Sequence, residues 1–204
     1  IAQAEDQTIN EDTQGVFSFE VSDIDTGTTL ILSAISDTDA VSIEANSLDF
    51  SLTLTPEDNW HGQTEITVFV SDGALSDTTS FLLTVDPIND SPIMSDISDT
   101  TISENTSLHF DLVLTDVDTA EVFTIFATSD SPYMSVSASA EDSSIIAIPD
   151  EDWHGTANIT VIVSDGELSD SEMFSITVSP ANDAPIIAQA EDQTINEDTQ
   201  GVFS

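Results

Sequence analysis

The sequence predicts an all-β fold: tandem seven-stranded Greek-key β-sandwiches joined end to end. Three observations point there. The chain repeats itself, its apolar residues alternate with a period of two, and turn-forming residues separate the alternating runs. Ile1–Ser18 recurs unchanged as Ile187–Ser204, an offset of 186 residues, or twice 93. Laid without a gap over residues 94–186, residues 1–93 agree at about 40 % of positions, several-fold above chance. This divides the chain into a first repeat at 1–91, a second at 92–184, and the opening strands of a third at 185–204.

Within the first repeat, Phe17, Phe19 and Val21 alternate with Ser18 and Glu20 and predict an early strand. Leu48, Phe50, Leu52 and Leu54 predict another, as do Ile66, Val68 and Val70, and Phe81, Leu83 and Val85 close the repeat. Asp25-Thr26-Gly27, Pro56-Glu57-Asp58-Asn59 and Ser71-Asp72-Gly73 supply turns between them. No stretch carries a 3.6-residue apolar stripe. About seven strands per repeat fit a Greek-key sandwich. The terminal segment 187–204, identical to 1–18, could also exchange with it between copies of an otherwise monomeric chain.

Charge restricts function. The chain carries 40 Asp and Glu and no Lys or Arg, a formal charge of −40. It cannot neutralise phosphates, which excludes nucleic acid as a partner, and it has no polybasic patch for an anionic membrane. No apolar run is long enough to span a bilayer and no signal peptide opens the chain, which reads as a soluble excised piece. With no Cys, disulfides and thiolate chemistry are absent. A 39 % apolar content with ten Phe argues that the chain folds.

The acids that keep register between repeats are more telling than the matching core positions. Glu11/Glu104, Asp23/Asp116, Asp25/Asp118, Asp72/Asp165 and Asp90/Asp183 hold their places, and Glu57-Asp58 answers to Asp150-Glu151. Asp37/Asp130 and Asp77/Asp170 read as turn formers. Asp23-x-Asp25 and Asn89-Asp90 read as ligands, because paired loop carboxylates without a cation repel each other. A hard divalent ion taking six to eight oxygen ligands resolves that conflict, which points to Ca2+ rather than Mg2+ or zinc. An acidic, salt-adapted surface is the competing explanation.

Val70-Ser-Asp-Gly-Ala-Leu-Ser76 and Asp86-Pro-Ile-Asn-Asp-Ser-Pro92, answered by VSDGELS and SPANDAP in the second copy, resemble the closing part of bacterial cadherin-like and Ig-like repeats. Such repeats form the extender regions of giant secreted RTX-type biofilm adhesins. The resemblance implies an extracellular, cell-surface location, neighbouring repeats of the same chain as partners, and calcium at each junction. It implies ligands Glu11, Glu57 or Asp58, Asp86, Asn89 and Asp90 from the first repeat, and Asp116, Asp118 and Asp165 from the second. Pro92 stiffens the connector. Asp23, Asp25 and Asp72, and at the other end Glu104, Asp150, Glu151, Asn182 and Asp183, belong to outer junctions that are incomplete here. Asp86 is replaced by Ser179 in the second copy.

Trp60-His61-Gly62 recurs as Trp153-His154-Gly155 and reads as a Trp plug with His in the turn and Gly at a strained position. No nucleophile–base set accompanies it, so neither an enzyme nor a small-molecule substrate is expected. The functional expectation is a calcium-stiffened extender that projects distal binding domains. The alternative is a module that recognises a glycan or partner adhesin through Ser131–Met134, where the single Tyr, Tyr133, stands.

Overall fold

The computed structural model describes residues 1–25, 27–118, 122–189, 192 and 194–198. Its strands are β1 (Gln7–Asn10), β2 (Gly15–Ser18), β3 (Ile31–Ser36), β4 (Val41–Asn46), β5 (Ser51–Pro56), β6 (Gly62–Ser71), β7 (Ser76–Asp86), β8 (Ile93–Met94), β9 (Thr100–Ser103), β10 (Leu108–Asp111), β11 (Leu114–Thr115), β12 (Thr124–Ser129), β13 (Met134–Ser139), β14 (Ser144–Pro149), β15 (Gly155–Ser164) and β16 (Ser169–Ser179). There is no helix among the described residues. The fold is all-β, as the alternation requires.

In the first repeat a four-stranded sheet, β1-β7-β6-β3, faces a three-stranded one, β2-β5-β4. Period-two burial along β6 and β7 turns Ile66, Val68, Phe81, Leu83 and Val85 inward, where they meet Leu32, Val41, Leu52 and Leu54. The second repeat repeats the plan as β12-β15-β16-β9 and β10-β14-β13, with a small β8–β11 ladder. Ile145, Ala147, Ile159, Val161, Val163, Ile176 and Val178 are buried in it. Phe110 meets Phe174 edge-on at 5.1 Å. β1 lies parallel to β7 in the first repeat and β9 parallel to β16 in the second, with Ile9 opposite Val85 and Ile102 opposite Val178.

Three expectations need correction. β2 ends at Ser18, so Phe19 and Val21 lie outside it, and the Phe19 N–H donates instead to the Phe50 carbonyl at 2.8 Å. Leu48 is not a strand residue but the tip of a turn, 95 % exposed. There Asn46 Oδ1 accepts the Leu48 N–H and Asp49 accepts the Ser51 hydroxyl, so side-chain turn chemistry overrides the apolar alternation. Phe50 takes a left-handed φ of 52° in the same turn. Finally, Asp77 and Asp170 are strand residues rather than turn formers. Asp77 Oδ2 accepts from the Ile1 backbone nitrogen and Asp170 Oδ2 from the Met94 N–H, each at 2.8 Å and 76 residues away. Asp130 likewise reaches across to Asn158.

Residues 185–189, 192 and 194–198 carry no strand, and Ile187 and Ile195 are exposed. Their twins Ile1 and Ile9 pack against the first core. The rest of the expected third-repeat strands, at 190, 191, 193 and 199–204, lies outside the described residues, and with it the expected exchange. The chain forms two compact units: Ile1–Ser95 with Val113–Thr124 and Ile162–Ser171, and Asp96–Leu112 with Ile125–Val161 and Glu172–Ser204.

Candidate metal centre

Glu11 follows β1 directly and is 3 % exposed. Its N–H donates to the Asp86 carbonyl at 2.9 Å, and its Oε1 accepts the Ile88 N–H at 2.7 Å. Its Oε2 lies 3.2 Å from His61 Nδ1. One buried carboxylate thus fastens the start of the linker to the first strand. Glu104 does the same in the second repeat, accepting the Ala181 N–H at 2.6 Å with His154 Nδ1 at 3.7 Å. The His of each Trp-His-Gly turn therefore has a specific partner. The repetition of Glu and His together was a signal for that pair, although neither neighbours the other in sequence.

Farther along, Asn89 Nδ2 donates to its own neighbour's carbonyl, Asp90 O, at 2.8 Å and to Asp165 Oδ2 at 2.9 Å. The Asp90 N–H donates to Asp118 Oδ2 at 2.8 Å, and the Asp118 N–H to Asp116 Oδ1 at 3.1 Å. Six of the nine residues expected at the central site, Glu11, Asn89, Asp90, Asp116, Asp118 and Asp165, are thereby drawn into one region. All six belong to the first compact unit. Glu57 and Asp58 stay exposed in their turn, and Asp86 is exposed and joins through its backbone carbonyl.

The electrostatics of this region are unbalanced. Burial pushes the Asp90 carboxyl up from its ordinary value, and the charges of Asp12, Asp118, Glu11 and Asp116 push it further. Asp90 Oδ2 and Asp116 Oδ2 are buried oxygens that no donor reaches among the described residues. Asp165 is the contrast: the Asn89 amide first, then the Glu167 and Leu168 N–H groups, hold its carboxyl below the usual range. Asp12 is the residue that sequence reasoning missed. Its counterpart is Asn105, so a search for identical acids passes over it, although both types offer an oxygen.

The outer sites are less assembled. Asp23 Oδ1 accepts the Asp25 N–H at 2.9 Å, and both residues are exposed. Asp72 repeats the Asp165 turn, accepting Ala74 and Leu75 N–H groups at 2.7 Å, which lowers its pKa. Asn182 donates to the Asp183 carbonyl at 3.2 Å as Asn89 does to Asp90. Asp150, Glu151, Asn182 and Asp183 are all exposed.

Among the described residues, no three acid or imidazole side chains already stand as a metal-holding group. The residues nevertheless fit calcium in donor type: carboxylate and amide oxygens, two of them buried without a hydrogen-bond donor, and no Lys or Arg to satisfy them.

Comparison with known proteins agrees with the fold. The cadherin-like domain family matches residues 2–86, and the bacterial Ig domain family matches residues 89–177. No curated protein matches the chain significantly. Among solved structures, human protocadherin-24 EC1-2 is similar at 15 % identity with a TM-score of 0.51, over 83 % of this chain and 88 % of that one. The titin domains Z1Z2 in complex with telethonin are 11 % identical with a TM-score of 0.38, over 87 % and 94 %. The endo-fucoidan hydrolase MfFcnA4 is 20 % identical with a TM-score of 0.36, and the chain spans only 28 % of its length. Bacterial Ig and cadherin-like domains are typically extracellular or surface-exposed structural and adhesion modules, and typically non-catalytic. The chain thus carries a cadherin-like domain over residues 2–86 and a bacterial Ig domain over residues 89–177, in tandem.

Proposed function

We propose that the chain is an extender segment of a large secreted bacterial surface adhesin, built from repeats bounded near 91/92 and 184/185 and stiffened by calcium at the linker. The observation that carries this reading is the pair of buried, donorless carboxylate oxygens on Asp90 and Asp116, set among the charges of Glu11, Asp12 and Asp118. Glu11 and Asn89 position the linker, while Asp90, Asp116, Asp118 and Asp165 offer oxygens. Calcium, when bound, supplies the positive charge that the sequence lacks and shares its coordination among these groups. Without it, repulsion among the acids favours opening of the linker.

Thermal unfolding in chelator, calcium and magnesium tests this. Extracellular modules bind calcium at roughly 10⁻⁴–10⁻³ M, so a few millimolar adds about 1–2 kcal/mol per ion and raises Tm by several degrees. Asp116→Ala with Asp118→Ala should abolish the calcium response. An equal response to magnesium and plain salt would instead mark the acids as a solvated, salt-adapted surface. One observation favours a second reading, a binding module: Tyr133, half exposed, stacks on Trp153 with ring centroids 6.1 Å apart.

A further inference from the structure

β13 is an edge strand. In its sheet it pairs with β14 alone, and no strand among the described residues lies beyond it. Edge strands are usually guarded by a charge, a proline or a bulge. β13 reads Met-Ser-Val-Ser-Ala-Ser and has none of these. The corresponding edge of the first repeat, β4, carries Glu44 where β13 has Ser137.

The face beside this edge also differs between the repeats. Ser135 stands opposite Ile148, and Ser137 opposite Ile146. Ile148 is 50 % and Ile146 38 % exposed, where the first repeat has Thr55 and Thr53. Opposite residues share a face, and just past the end of this ladder Tyr133, in the turn before β13, and Asp150, after β14, are both exposed. The Asp150 N–H donates to the Tyr133 carbonyl at 2.8 Å. That end of the edge therefore carries an exposed tyrosine, stacked on Trp153, and an exposed aspartate joined to it through the backbone. The other end presents the exposed Glu141 and Asp142.

We propose that β13 accepts an extended segment of a partner polypeptide as an added strand, with apolar residues at the segment's centre and a Lys or Arg at each end. Backbone pairing supplies the recognition mode, Ile146 and Ile148 the apolar contact, and Tyr133 with Asp150 a seat for a cation. A second copy of this chain fits badly. Antiparallel pairing of two β13 strands would set Asp150 of one against Glu141 and Asp142 of the other. A sugar fits badly too, since isoleucines offer nothing to its hydroxyls. The inference is independent of calcium binding at the linker.

The test uses the full 204-residue chain in physiological salt with millimolar calcium, titrated with acetyl-Arg-Thr-Ile-Thr-Ile-Thr-Arg-amide, whose Arg and Ile side chains share one face of an extended strand. Amide chemical shifts and hydrogen exchange are followed by NMR. The expected result is new protection confined to Met134–Ser139, with shifts at Tyr133, Ile146 and Ile148. Replacing both Arg by citrulline should weaken binding about tenfold, and N-methylating both Ile should abolish it. Tyr133→Ala should weaken binding about fivefold. Because Tyr133 rests on Trp153, Ile148→Thr, an exposed change to the first repeat's residue, provides a second variant expected to weaken it as well. Shifts spread over the acidic loops of both repeats, unchanged affinity of the N-methylated peptide, or no binding at all would overturn the proposal. So would the same shifts produced by maltohexaose and not by the peptide.

Discussion

With no Lys or Arg available, the carboxylates of this chain turn to backbone N–H groups. Asp6 accepts from Leu82 at 2.9 Å and Asp99 from Ser175 at 2.7 Å, so the residue before β1 and the one before β9 each clasp the closing strand of their repeat. Asp130 takes both the side chain and the backbone N–H of Asn158, in that order of effect, and its pKa is held below the usual carboxylate value. A carboxyl lowered by folding stabilises the fold above its unfolded pKa, and the contribution is lost as pH falls through the folded pKa. Asn158→Ala should therefore move the Asp130 midpoint up in an NMR titration and leave that of Asp99 in place. Backbone geometry yields a second prediction. Gly62 and Gly155 sit at φ of 147° and 154°, and an added Cβ would meet the Trp60 ring at 3.5 Å but the Trp153 ring at 3.0 Å. Gly155→Ala should cost about 1–3 kcal/mol in urea unfolding, and more than Gly62→Ala. The strained glycine was legible from the Trp-His-Gly turn. The burial of Glu11 was not, because its reason lies 77 residues away at the Ile88 N–H.

Among the strands, alternation foretold the long ones and failed where other chemistry intervened. Ile66, Val68 and Val70 were legible because β6 runs ten residues with every second side chain inward. Leu48 and Leu52 belong to one apolar run in the sequence but have opposite fates, 95 % exposed and fully buried. Leu52→Ala should cost about 2–5 kcal/mol by leaving a cavity, whereas Leu48→Ala should stay within about 0.5 kcal/mol, both readable by denaturant unfolding. The aligned residues of the second repeat, Ala140-Glu141-Asp142-Ser143, contain no large apolar side chain, and that was the available sign of a turn. β1 offered too little: four residues, with Ile9 as its one apolar member. The candidate site was legible as a list of acids in register. Which of them converge was expected only through the family resemblance, since Asp90 and Asp118 meet only once the linker has folded.

For the molecule as a whole, a charge of −40 makes ionic strength a structural variable. In chelator, raising salt from about 20 mM to about 500 mM shortens the screening length several-fold, and Tm should rise with it. In millimolar calcium the same salt series should produce a smaller rise, because neutralised acids have less repulsion left to screen. The parallel placement of β1 beside β7, and of β9 beside β16, has a mechanical consequence. The chain enters the first repeat through β1 and leaves through β7; in the second it reaches β9 after the short β8 and leaves through β16. Tension along the polypeptide thus pulls two parallel neighbours in opposite directions, and their backbone bonds are loaded together in shear instead of being unzipped one at a time. Rupture must then break the whole Gln7–Asn10 ladder at once, so each repeat resists a pull at its ends better than the small number of bonds in that ladder suggests.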